Sequence, residues 1–151
     1  MITILKSCFE FSSKAASAAL FGILLLLAFA FTASMGSQEY FGFFRYDYLL
    51  FYAVLIQVCL LYLKLESWAE AKVIALSHVM AMVMEIFLTH PQIASWQYPH
   101  PAVFKILTVP LFAGFMYSAV GSFFSRSLRL YHVSFQHLPR FSAMLTLAVL
   151  S

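Results

Sequence analysis

The stretch VIALSHVMAMVMEIFLT at positions 73–89 contains one carboxylate, Glu85, and one imidazole, His78, in an otherwise uncharged and mostly apolar run. As an α-helix, seventeen residues extend about 26 Å, close to the ~30 Å hydrocarbon thickness of a bilayer. A charge at membrane depth costs about 2.5 to 3.5 kcal/mol on insertion scales, so Glu85 is expected to face protein or water and to have a partner. This run therefore reads as a membrane-spanning helix carrying one unusual site.

The rest of the chain agrees with that class. Of its 151 residues, 63% are hydrophobic and only 10% charged, whereas a soluble domain needs roughly 25% charged residues to wet its surface. Further expected spans, each built on an uncharged core (48–63 and 106–124 in the second and fourth), lie on either side of 73–89. The first runs from position 15 to about 37, after Lys6, Glu10 and Lys14. It is long and followed by more spans, so it reads as a retained helix rather than a cleaved leader. The second covers 46–64, where Tyr46 completes a core too short alone to cross. The fourth covers 104–124, with Pro110 near its start, where a proline is cheapest. Pro91 and Pro99 make 91–101 a loop. Eleven uncharged residues at 141–151 are about half a span, read as a partial fifth span of a truncated product or of a larger architecture.

The expectation is a single all-α domain over 1–151, a polytopic transmembrane helical bundle of four full spans and a partial fifth. Charge sets its orientation. With the N-terminus inside, Lys6, Lys14, Lys64, Lys72, Arg126, Arg129 and Arg140 fall on the inner side, and only Arg45 and Lys105 on the outer. Basic residues favour the cytoplasmic side, so the N-terminus is placed inside. Arg45, Asp47, Trp96 and Tyr98 then belong to the outer loops and interface, where aromatic rings suit the headgroup level. The loop at 64–72, with Glu66 and Glu70 one helical turn apart, reads as a brief solvated extension.

Counting depth at 1.5 Å per residue places Glu85 about 6 Å inside the outer end of its helix. Thr32, Tyr52 and Pro110 are expected near that level, and His78, seven residues earlier on the same face, shares a deeper level with Gln57 and Tyr117. Two polar layers follow, Glu85 with Tyr52 and Thr32, and His78 with Gln57 and Tyr117. They admit a plain reading, as interhelical hydrogen bonds, and a functional one, as a site for a cation, a proton or a polar group of a substrate. Gly114, Ser118 and Ser122, with Gly121, form a small-residue stripe that lets helices approach closely.

Other chemistries lack their motifs. His132 and His137 fall on the inner side and His90 and His100 on the outer, and no metal-binding histidine spacing occurs, so no metal is expected. Cys8 and Cys59 are far apart and outside any Cys-x-x-Cys pair. The basic residues are scattered around apolar runs, which excludes a nucleic-acid stripe, and no phosphate loop or nucleophile elbow calls for a cofactor.

Arg45-Tyr46-Asp47, Gln57, Glu70-Ala71-Lys72-Val73-Ile74, His78, Met84-Glu85-Ile86-Phe87, Ser95-Trp96-x-Tyr98-Pro99, the block from Pro110 to Tyr117, and Val120-Gly121-Ser122 together resemble the YoaT-like family, domain-of-unknown-function family 817. The resemblance runs from about Phe21 to Pro139 and is most specific between Pro110 and Ser122. It implies a multi-pass protein of the bacterial inner (cytoplasmic) membrane and carries over no activity, cofactor or catalytic residue. Three functions stay open: binding or transport of a small solute or protons at Glu85, an enzyme acting on a lipid or isoprenoid, and a structural or assembly subunit. The partners expected are the lipid bilayer and either a second copy or a separate chain that supplies further helices.

Overall fold

The computed structural model describes residues 2–136, 139–140, 142–143 and 146. Among them are five α-helices, α1 (Ile2–Ala18), α2 (Leu20–Phe31), α3 (Arg45–Tyr62), α4 (Trp68–Leu88) and α5 (Ala113–Leu130), a 3-10 turn at Ala33–Met35, and two short strands, β1 (Lys105–Ile106) and β2 (Val109–Pro110). Among the described residues only α3 and α4 are singly long and apolar enough to cross a membrane, and the bent pair α1 with α2 makes a third candidate. The partial fifth span expected at 141–151 lies mostly outside the described residues, as does His137.

Local chemistry sets the helix ends. Asp47, in the first turn of α3, accepts a hydrogen bond from the Phe44 backbone N–H at 3.0 Å. Ser67 caps α4 reciprocally with Glu70, each side chain taking the other's backbone N–H at 3.3 and 2.7 Å. Two donors that the first helical turn would leave unpaired are thereby satisfied. At the far end of α4 the Thr89 hydroxyl donates to the Glu85 carbonyl at 2.8 Å, and Pro91 follows.

The span expected at 104–124 begins later than its composition suggests. Residues 105–110 form an antiparallel hairpin pairing Lys105 with Pro110 and Ile106 with Val109. Leu107, at its turn, has φ +54°. Pro110 has no N–H for a helical bond, and α5 starts only at Ala113. That helix contains four serines and two arginines, which keep it out of the candidate spans. The first expected run is likewise divided: α1 and α2 meet at Ala19 with a bend of 61°.

α4 and α5 pack antiparallel along the small-residue stripe. A Cβ on Gly114 would lie 2.5 Å from His78 Nδ1, and one on Gly121 would lie 2.5 Å from Ser77 Oγ. Ser118 donates across the seam to the Ile74 carbonyl at 3.1 Å. Phe21, Leu25, Leu49, Ala53 and Phe112 form the apolar core where α2, α3 and the start of α5 meet.

Candidate functional site

Glu85 is 1% exposed, and its hydrogen bonds come from the loop after α4 rather than from α2 or α3. Tyr98 Oη donates to Oε2 at 2.7 Å, and Trp96 Nε1 donates to the same oxygen at 3.0 Å. The two aromatic residues placed by sequence at the membrane interface are thus folded inward onto the carboxylate. Burial, reinforced by the bond to Glu85, holds the Tyr98 phenol above its ordinary pKa.

Tyr98 also forms part of the wall of a cavity of about 450 Å³ at this end of the molecule. Thr89, His100, Lys105, Thr108 and Pro110 line it as well. The Thr89 and Thr108 hydroxyls meet at 3.1 Å, and His100 Nδ1 is bonded to Ser37 Oγ at 2.7 Å. Lys105 is the formal cation among the lining residues, and no carboxylate is among them.

Asp47 fixes this loop in place. Its carboxylate, fully buried, accepts from the Val103 N–H at 3.0 Å and the Phe104 N–H at 2.8 Å as well as from Phe44. One side chain therefore caps α3 and fastens the segment leading into the hairpin that lines the cavity. Beside it, Arg45 donates to the Phe29 carbonyl at 3.3 Å and lies 5.4 Å from the centre of the Phe29 ring.

The remaining sequence-derived residues, Tyr117 apart, fall into other groups. Tyr52 packs edge-on against Phe31 with ring centres 6.2 Å apart. Thr32 donates to the Ala28 carbonyl within its own helix. The His78 ring lies against Gly114 and 4.5 Å from the Phe115 ring, its Nδ1 buried without a hydrogen-bond partner among the described residues. Tyr117 stands close enough to Glu85 to interact with it and lines an apolar groove between α4 and α5.

Gln57 belongs to a second polar cluster at the opposite end, which the sequence reading passed over. Its Nε2 donates to Glu66 Oε2 at 2.6 Å, and Ser122 Oγ donates to Glu66 Oε1 at 2.7 Å. Arg126, 1% exposed, approaches Glu66 at 3.7 Å and donates to Ser17 Oγ at 3.1 Å. Arg129 pairs with Glu70 at 2.8 Å and donates to the Leu65 carbonyl at 2.9 Å. Glu66 and Glu70, expected as solvated, are buried because Arg126 and Arg129 of α5 reach them. The available signal was two acidic and two basic residues at the same end of adjacent antiparallel helices.

Fold and site together describe a helical protein with two or three helices of membrane-crossing length and a buried carboxylate beneath a polar cavity. The chain belongs to the family described as "Protein of unknown function (DUF817)", which matches residues 7–151. It is 39% identical over 104 residues to the uncharacterized protein YoaT of Bacillus subtilis (strain 168), a match covering 69% of this chain and 39% of that relative. The chain thus spans well under two thirds of the relative's length. No solved structure matches it.

Proposed function

We propose that this chain is a multi-pass protein of the bacterial inner membrane that binds a small polar solute bearing an acidic group in the cavity above Glu85. In this reading α2 with its 3-10 continuation, α3, α4 and α5 cross the bilayer, and the N-terminus is inside. The charge distribution supports that orientation: the inner end holds Lys6, Lys14, Lys64, Lys72, Arg126 and Arg129, against Arg45 and Lys105 at the outer. The observation that carries the binding reading is the shared wall, since Tyr98 lines the cavity while its hydroxyl is bonded to the buried Glu85. Lys105 supplies attraction for an anionic group, and the two threonines and His100 supply hydrogen bonds. A solute that displaced Tyr98 would expose the Glu85 carboxylate, and that exchange is the step through which binding would couple to proton or ion movement.

The test uses Thr108→Cys in a Cys8→Ser, Cys59→Ser background and a membrane-impermeant maleimide. Prompt labelling from the outer face, slowed by millimolar glutamate as a small carboxylate probe, is the expected result. Labelling only from the inner face would overturn the orientation, and labelling indifferent to carboxylates would overturn the ligand class.

A second reading, action on a lipid or isoprenoid, draws on the groove of about 550 Å³ lined by Leu76, Met80, Met84, Tyr117 and Phe124. It is apolar, and Tyr117 at its edge neighbours Glu85, so an alkyl chain lying there would bring a headgroup toward the carboxylate. Crosslinking of a photoactivatable acyl lipid to Met80 or Met84 distinguishes it, and equal crosslinking all around α4 would remove it.

A further inference from the structure

α1 carries a surface that the cavity and the inner cluster do not use. At 100° per residue, Ile4, Leu5, Cys8, Phe9, Phe11 and Ala16 fall within an arc of about 160°, which also holds Ala15 and one polar residue, Ser12. Every one of the first six is exposed, Phe9 by 75%. Lys6, Glu10, Ser13, Lys14 and Ser17 occupy the other side. The helix is fastened to the bundle through its polar side and through the Phe11 edge of the arc: Ser17 accepts from Arg126 at 3.1 Å, Lys14 Nζ lies 5.8 Å from the centre of the Tyr131 ring, the Phe11 carbonyl accepts from Tyr131 Oη at 3.0 Å, and the Phe11 ring lies 5.4 Å from the Tyr131 ring. A largely apolar arc that faces away from a helix's own protein except at its Phe11 edge, with lysines beside it, is the pattern of a helix lying in a membrane interface.

The bend gives that arc its place. α1 leaves α2 at 61°. Seventeen residues extend about 26 Å, so with α2 along the membrane normal α1 rises only about 12 Å through the membrane depth. This matches the headgroup and outer acyl region, where interfacial helices bury their apolar side about 5 to 10 Å deep. The pivot stands at the same end of the molecule as Glu66, Arg126 and Arg129, the end rich in basic residues.

We infer that α1 is an interfacial helix seated on the inner leaflet, its apolar arc among the outer acyl chains and Lys6 and Lys14 against anionic headgroups. This rests on the membrane-spanning reading of α2 to α5. Two lysines against one glutamate give the helix a net positive charge, and each lysine at an anionic surface favours occupancy by roughly five-fold. The seat holds Ser17 over Arg126, so the leaflet's composition bears on the inner polar cluster through the position of α1.

The two cysteines make the test direct, because Cys8 lies on the arc and Cys59 lies on α3, and both are exposed. The full chain is placed in nanodiscs of phosphatidylcholine with or without phosphatidylglycerol. An environment-sensitive nitrobenzoxadiazole label is attached to Cys8 in the Cys59→Ser variant, and to Cys59 in the Cys8→Ser variant. The expected result is blue-shifted emission at Cys8, quenched by a spin label near the top of the acyl chain. That quenching is stronger with phosphatidylglycerol, and the Lys6→Gln, Lys14→Gln double variant loses the difference. If Cys59 reports lipid while Cys8 reports water, the interfacial seat is wrong and the spanning reading survives. If Cys59 itself reports water, the spanning reading fails. A Cys8 label shielded from both lipid and aqueous quenchers means that a second copy covers the arc and overturns the proposal. Quenching equal in both lipid mixtures overturns the anionic-headgroup part.

Discussion

Replacing Asp47 by alanine should release the loop that lines the cavity while leaving the helices in place. Three backbone N–H groups, of Phe44, Val103 and Phe104, point at its carboxylate at 2.8 to 3.0 Å. Leaving a buried donor unpaired costs about 1 to 3 kcal/mol. These bonds are partly buried rather than sealed, so the lower part of that range applies and the loss is on the order of 3 to 5 kcal/mol. For a chain of this size that corresponds to a fall in melting temperature of roughly 10 °C. Asp47→Asn retains one acceptor oxygen and should lose about half as much. The assay is thermal unfolding in detergent followed by Trp96 emission in a Trp68→Phe background, because Trp96 sits in the loop itself and reports its release. A melting temperature within about 2 °C of the parent for Asp47→Ala, with Trp96 emission unchanged, would show that Asp47 does not hold the loop.

The packing and the polar pairs can be tested in the same way. Gly114→Ala places a Cβ within 2.5 to 2.9 Å of three atoms of the His78 ring and should destabilise by about 1 to 3 kcal/mol. Gly22→Ala meets only Ala119 Cβ at 3.6 Å and should be neutral or slightly stabilising, so the pair is compared in one denaturation series. Glu66→Ala leaves the buried Arg126 without its counter-ion and should cost about 3 to 5 kcal/mol, whereas Glu66→Leu with Arg126→Met should cost far less. Tyr98 holds its proton more tightly folded than unfolded, because of burial and the bond to Glu85. The stability this contributes is fully present below about pH 10, the ordinary phenol value, and falls as pH rises above it. Melting curves at pH 8 to 11 should show that loss in the parent and a smaller one in Tyr98→Phe.

The features legible in the sequence are those governed by local composition. The apolar runs at 46–64 and 73–89 became α3 and α4 because nothing within them breaks a helix. The small residues of α5 mark its close approach to α4 through their spacing alone. The break at Ala19 was hidden, since the run around it is uncharged and free of proline and the bend depends on where α1 is fastened, through Ser17 to Arg126. At the site, Glu85 was identifiable as a buried carboxylate in need of a partner, but depth counting looked to neighbouring spans. Trp96 and Tyr98 reach it instead because the loop after α4 folds back, held by Asp47 some fifty residues away. Arg126 was read as an inner-side charge, and its burial with Glu66 follows from helix pairing that single-helix hydropathy does not register.

The proposed solute binding depends on the cavity leading to Glu85 with Tyr98 as the wall between them. Glu85→Cys is made in the Cys8→Ser, Cys59→Ser background, alone and with Tyr98→Ala, and each is exposed from the outer face to a membrane-impermeant methanethiosulfonate reagent. Both variants are first checked for folding by size-exclusion elution. The thiol introduced at position 85 should be modified slowly behind Tyr98, and at a rate at least ten-fold higher once the ring is removed. A thiol that stays unreactive in the folded double variant, or that reacts from the inner face alone, would mean that the cavity does not open onto position 85.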